Sequence, residues 1–147
     1  MYHHINKLTF ILFTAIGLMF FASCDKDREH PVPYVRVDFN FNITNYNLNS
    51  PGLIHQFPKE QYEYGGYQGV IVYRESETNF RAFDRACPSD PHNCQVNITE
   101  ENSLIGKCPC CESEFLLIDG TVLDGEARYP LKEYSTSFNP PRLRVTN

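Results

Sequence analysis

The amino-acid sequence reads as an all-β chain, an antiparallel sandwich or partial barrel carrying a small two-loop metal knuckle. Three observations lead there. In residues 35–43, Val35, Val37, Phe39, Phe41 and Ile43 interleave with Arg36, Asp38, Asn40 and Asn42. That is the period-two pattern of a strand with one buried face. Ten prolines and many asparagines punctuate segments rich in β-branched and aromatic residues, and no stretch argues for a helix. Five of the six cysteines fall within the 29 residues 87–115, in two loops joined by a short β-like segment.

The first residues stand outside this fold. A short polar lead, 1–7, precedes an almost unbroken apolar run from Leu8 to Phe21, too short for a comfortable membrane span. The run ends in Phe21-Ala22-Ser23-Cys24, which looks like a bacterial lipobox. That resemblance implies a signal peptide at 1–23 and lipid on the Cys24 thiol, with acyl chains each contributing about 0.8 kcal/mol per buried CH₂. Residues 24–33 follow as a charged tether closed by Pro31 and Pro33. Acidic residues directly after such a cysteine resemble a surface-export signal in some bacterial groups. The expected location is the bacterial cell envelope, lipid-anchored, at the outer membrane or cell surface rather than the inner membrane. Such a compartment is oxidising and permits disulfides.

Residues 34–147 are expected to form one domain, with the metal-binding subdomain at about 84–118. A net charge of -5 without a basic run gives no sign of nucleic-acid binding, and no nucleic-acid partner is expected. After the first strand, 45–66 reads as a long loop whose Leu53, Ile54, Phe57 and Tyr62 fold over the core as a flap, with His55 exposed. Residues 69–73 and 79–86 form a hairpin that runs into Cys87. Residues 95–98 and 103–107 form a second, ending at Cys108. A strand at 114–118 meets the Asp119-Gly120 turn, and Asp124-Gly125 is another turn. Strands at 129–137 and 143–146, split by Pro140-Pro141, close the domain.

The first cysteine loop reads Cys87-Pro-Ser-Asp-Pro-His92-Asn-Cys94 and the second Cys108-Pro-Cys110-Cys111-Glu-Ser-Glu-Phe115. Paired loops presenting thiols from tight turns are how small β domains hold a metal. Cys87, Cys94, Cys108 and Cys111, spaced C-x6-C and C-x2-C, suit tetrahedral zinc or iron, or a [2Fe–2S] cluster with its four protein ligands. Disulfides with one thiol left over, or a metal and a disulfide together, answer to the same spacing. Adjacent Cys110 and Cys111 cannot easily point to one spot. No Ser/His/Asp set, phosphate loop or paired-carboxylate signature stands out.

These two loops resemble those of Rieske [2Fe–2S] domains, which carry C-x-H-x-x-C in the first and C-P-C-H-G-S in the second. In this resemblance Cys87 and Cys108 fall on the cluster cysteines, and Cys94 and Cys110 on the disulfide pair. Ser89 and Cys111 fall on the two ligand histidines, and Glu112 on the glycine. Gly125-Glu-Ala-Arg-Tyr-Pro130-Leu131 with Tyr134, and Leu143-Arg-Val145, resemble the family's tail. The resemblance implies a Rieske-like fold with a rubredoxin-like metal subdomain. It also implies an envelope-anchored iron–sulfur protein in electron transfer, with a redox partner protein and no substrate chemistry of its own.

Two ligand sets follow. The primary one is Cys87, Cys94, Cys108 and Cys111 with Cys110 as a spare thiol. The alternative is a Cys94–Cys110 disulfide with Cys87, Cys108, Cys111 and His92. Two imidazoles raise a Rieske potential to about −150 to +300 mV, against about −400 mV for plant-type all-cysteine clusters, so an all-thiolate centre here would sit low. The competing reading is a binding or structural lipoprotein on the same scaffold, with zinc or disulfides in place of the cluster.

Overall fold

The computed structural model describes residues 29–100 and 103–147. The leader, Cys24 and its first neighbours lie outside the described residues, so the lipobox expectation has no structural counterpart. The described chain is all-β. Its strands are β1 (Asp38–Asn42), β2 (Ile54–Phe57), β3 (Val70–Arg74), β4 (Phe80–Asp84), β5 (Ala86–Cys87), β6 (Asp90–Gln95), β7 (Asn97–Ile98), β8 (Ile105–Lys107), β9 (Glu114–Leu116), β10 (Val122–Asp124), β11 (Glu133–Asn139) and β12 (Arg142–Thr146). Two short 3₁₀ turns, Ile43–Tyr46 and Lys59–Gln61, are the helical elements among the described residues.

Six strands form one curled antiparallel sheet in the order β1-β12-β11-β4-β3-β2. A second sheet runs β10-β9-β8-β7, and β5 pairs with β6. The central strands explain why both sheets hold together. Val70, Val72 and Ala82 join a core with Phe39, Phe41, Phe57, Tyr134 and Leu143. Ile71 and Phe83, pointing the other way, join Val96, Phe115, Leu117 and three cysteines. Strand β3 is therefore buried on both faces, which is why its sequence is a continuous apolar run rather than an alternation. Each fully buried Phe or Leu contributes roughly 1.5–3 kcal/mol.

Several expectations shift. The strand over 35–43 shortens, because Ile43 opens a 3₁₀ turn whose Thr44 N–H is held by Asn42 Oδ1. The long loop contains an edge strand: β2 pairs with β3 from Ile54↔Tyr73 to Phe57↔Val70. Phe57, Leu53 and Tyr62 do cover the first core, whereas Ile54 packs on the second. His55 is half-buried, against the expectation of exposure, with its ring 4.5 Å from that of Phe57 and 4.9 Å from that of Tyr46. The strand expected from residue 129 begins at Glu133. At the Asp119-Gly120 turn, Gly120 takes φ +78 and its N–H meets Leu116 O at 2.7 Å.

Candidate metal centre

The site begins with a buried carboxylate at the end of β4. Asp84 is fully buried. It accepts hydrogen bonds from the N–H groups of Tyr67 (2.5 Å), Gln68 (3.2 Å) and Ala86 (2.7 Å), and from the Tyr134 hydroxyl (2.7 Å). A buried charge needs such partners. Here they fix the backbone three residues ahead of Cys87. Arg85, also buried, donates to Val96 O at 3.2 Å and to the Asn97 side chain. These two residues tie the first cysteine loop to the large sheet and to β7. Neither was singled out in the sequence, although an Asp-Arg pair at the end of an apolar hairpin, one residue short of a cysteine, is a signal that could have found them.

The second loop turns sharply between Cys108 and Ser113, whose backbones meet at 2.9 Å through the Cys108 N–H. Glu112 stands in the left-handed region, φ 56. The Rieske pattern has glycine at this position, and the observed φ gives the physical reason. Ser113 is fully buried; its Oγ accepts the Ala127 N–H at 3.0 Å and lies 3.1 Å from the Cys111 sulfur. Gly125 packs against it so closely that a Cβ there would sit 2.5 Å from Ser113 Cα.

Between these loops five sulfurs converge. Cys94 and Cys110 form a disulfide, Cα–Cα 6.2 Å. Cys87, Cys108 and Cys111 are free, and their three sulfurs lie within 4.8 Å of one another. Cys87 and Cys111 approach to 3.5 Å. Cys87 and Cys108 are buried, while Cys111 is half-buried. The primary four-cysteine set is thereby corrected. Cys94 is bonded to Cys110, so it is no free ligand and Cys110 is not a spare thiol. His92 joins neither sulfur group; it is exposed, and its Nδ1 meets the Tyr67 hydroxyl. Ser89 is exposed as well.

The free thiols differ in acidity. Burial and a hydrogen bond with Cys108 push Cys87 up to about 12. Burial also opposes ionisation of Cys111, but hydrogen bonds from Ser113, Cys108 and Cys87 overcome it and bring that thiol down to about 7. Chemically, the three sulfurs are a soft ligand set for zinc or iron. Three of the four ligands that a [2Fe–2S] cluster needs are gathered; among the described residues no fourth joins them. Other sequence candidates have plain roles. Glu114 pairs with Lys107 at 3.4 Å, Tyr129 meets the His30 ring edge-on, and Tyr134 is core. A surface hollow between β4 and β11, lined by Glu75, Arg81 and Glu133, contains no cysteine.

No protein-family model matches the chain, and neither does any curated protein. Three solved structures are similar to it in fold. One is a chain of the complex of reduced oxygenase and oxidised ferredoxin in carbazole 1,9a-dioxygenase, 14% identical, TM-score 0.48, covering 76% of this chain and 94% of that one. Another is the ferredoxin of carbazole 1,9a-dioxygenase from Nocardioides aromaticivorans IC177, 18% identical, TM-score 0.49, with the same coverage of 76% and 94%. The third is described as the small subunit of an NADH-dependent nitrite reductase from Mycobacterium tuberculosis, 17% identical, TM-score 0.43, covering 78% and 97%. At these identities none of them assigns this chain a cofactor or an activity.

Proposed function

We propose that this chain is an envelope-anchored iron–sulfur protein in electron transfer, built on the Rieske plan with thiolate in place of imidazole. One observation carries the reading: three free thiols from two disulfide-pinned loops lie within 4.8 Å of one another. Cys87 and Cys108 would hold the buried side of a [2Fe–2S] centre and Cys111 the outer side. His92 is the fourth ligand of this reading; it stands apart from the three sulfurs, against the Tyr67 hydroxyl, and has to swing in to complete the set. When bound, the cluster supplies one-electron redox chemistry. The chain's own contribution is to keep water from Cys87 and Cys108, and to leave Cys111 as the edge nearest a redox partner. The Cys94–Cys110 disulfide holds the loops at that spacing. Lipid on Cys24 anchors the protein.

The test is anaerobic purification followed by visible absorption, EPR, and assay of iron and acid-labile sulfide. Coloured protein with iron and sulfide in equal amounts is expected; colourless, iron-free protein would sink the reading. The anchor is tested separately by labelling with radioactive palmitate, which Cys24→Ser should abolish.

A second reading has its own support. Metal–sulfur bonds of about 2.3 Å place the sulfurs of a tetrahedral site about 3.8 Å apart. The 3.5 Å approach of Cys87 and Cys111 suits one shared ion. Ligands on opposite irons of a cluster stand farther apart. One zinc or iron per chain with no sulfide would select this form.

A further inference from the structure

Cys87 and Cys111 come from different loops, and their sulfurs lie 3.5 Å apart without a bond between them. The Cys94–Cys110 disulfide ties the same two loops. The two pairs therefore span one gap in parallel. Cys108 lies between them, its sulfur within 4.8 Å of all four others. Covalent closure of Cys87 on Cys111 needs only a small approach. A Cys108–Cys111 link would instead stay inside one turn and cross no gap.

We propose that Cys87 and Cys111 are a second thiol pair, closed by a small-molecule disulfide, and that closing the pair and holding a metal exclude each other. The half-buried Cys111 reacts first. Its sulfur attacks one sulfur of the oxidant, and the other half of the oxidant leaves as a thiol carrying the Cys111 proton. The Cys87 sulfur then attacks Cys111, and the second half leaves with the Cys87 proton. Two cysteine thiols are oxidised and one disulfide is reduced to two thiols. Both loops end doubly stapled, and Cys108 remains as a single buried thiol. The site thus passes between a metal-binding and a closed form. The pair stands whichever metal the centre takes, and only the exclusion rests on the metal reading.

The test uses the metal-free Cys24→Ser chain, which removes the one cysteine outside the domain, incubated with oxidised glutathione. Thiols counted under denaturing conditions should fall from three to one. Cys108→Ser should fall from two to none, and Cys111→Ser should keep both. Cys87→Ser should stop at a glutathione adduct visible by mass. Three thiols persisting in the parent chain would overturn the proposal. So would loss of both thiols in Cys87→Ser without an adduct, which would assign the link to Cys108. Loading with zinc beforehand should protect all three thiols. Zinc that binds yet leaves closure equally fast overturns the exclusion. Failure of zinc to bind, with closure intact, removes the metal reading and leaves the pair.

Discussion

The two cores of this protein hold together by different means. The first lies under β1, β2, β11 and β12 and is a stack of rings: Phe39, Phe41, Phe57, Tyr46 and Tyr62 meet at centroid distances of 4.6–6.1 Å. Its strands run four to seven residues with regular register. The second core, under β5 to β10, has strands mostly of two or three residues. Three of its ten buried members are cysteines. There a disulfide, the Asp84 and Arg85 braces and the Ser113 turn replace what long ladders supply elsewhere. Short strands packed by aliphatic residues cannot hold thiols to a fraction of an ångström. Covalent and polar ties can, and they occupy the positions that flank the sulfurs.

The largest effect expected comes from truncating either core. Phe57→Ala and Phe115→Ala should each destabilise the chain by about 3–5 kcal/mol in chemical denaturation, since both rings are fully buried. If the second core were merely an appendage, Phe115→Ala would leave the main transition untouched.

Removal of the staple separates the regions more cleanly. The Cys94→Ser/Cys110→Ser double variant opens a crosslink spanning 16 residues, worth roughly 3 kcal/mol in the chain-entropy model. Amide exchange should rise across β5 to β9 while β1, β11 and β12 keep their protection. Equal loss everywhere would show that the cysteine region has no separate stability.

A pH series reads the site itself. Ser113 and the neighbouring thiols hold Cys111 down to about 7 from an ordinary 9.0. Its thiolate, the reactive form, should therefore appear as pH rises through 7 rather than 9. At neutral pH alkylation of metal-free protein should run several-fold faster at Cys111 than at an ordinary thiol, the larger thiolate fraction outweighing its lower nucleophilicity. Cys87, buried and pushed up to about 12, should be alkylated by an external reagent far more slowly than Cys111 over the same range. Gly125→Ala, which crowds Ser113, should move the Cys111 profile upward.

The smallest effect is a gain. Glu112→Gly relieves a left-handed residue at φ 56 and should stabilise the protein by about 1 kcal/mol, measured as a shift in denaturation midpoint.

The sequence made some of this legible and hid the rest for physical reasons. The alternation around Phe39 and Phe41, the Asp119-Gly120 turn and the crowding of five cysteines are local patterns, and each led to the right kind of structure. Which sulfur meets which is not local. Cys110 and Cys111 are neighbours, and only the turn closed by Ser113 sends one to Cys94 and the other toward Cys87. Strand β2 was hidden because its partner β3 is buried on both faces and pairs with it across a long, proline-bearing loop. Asp84 carries no periodic signal, since its role depends on Tyr67 and Tyr134 arriving from distant segments.

X-ray absorption at the metal edge of anaerobically prepared protein tests the central claim most directly. The account predicts a bound iron or zinc with at least three sulfur neighbours at about 2.3 Å, the sulfur contribution falling in a Cys111→Ser variant. A chain that takes up no metal, or holds one by nitrogen and oxygen alone, would contradict it.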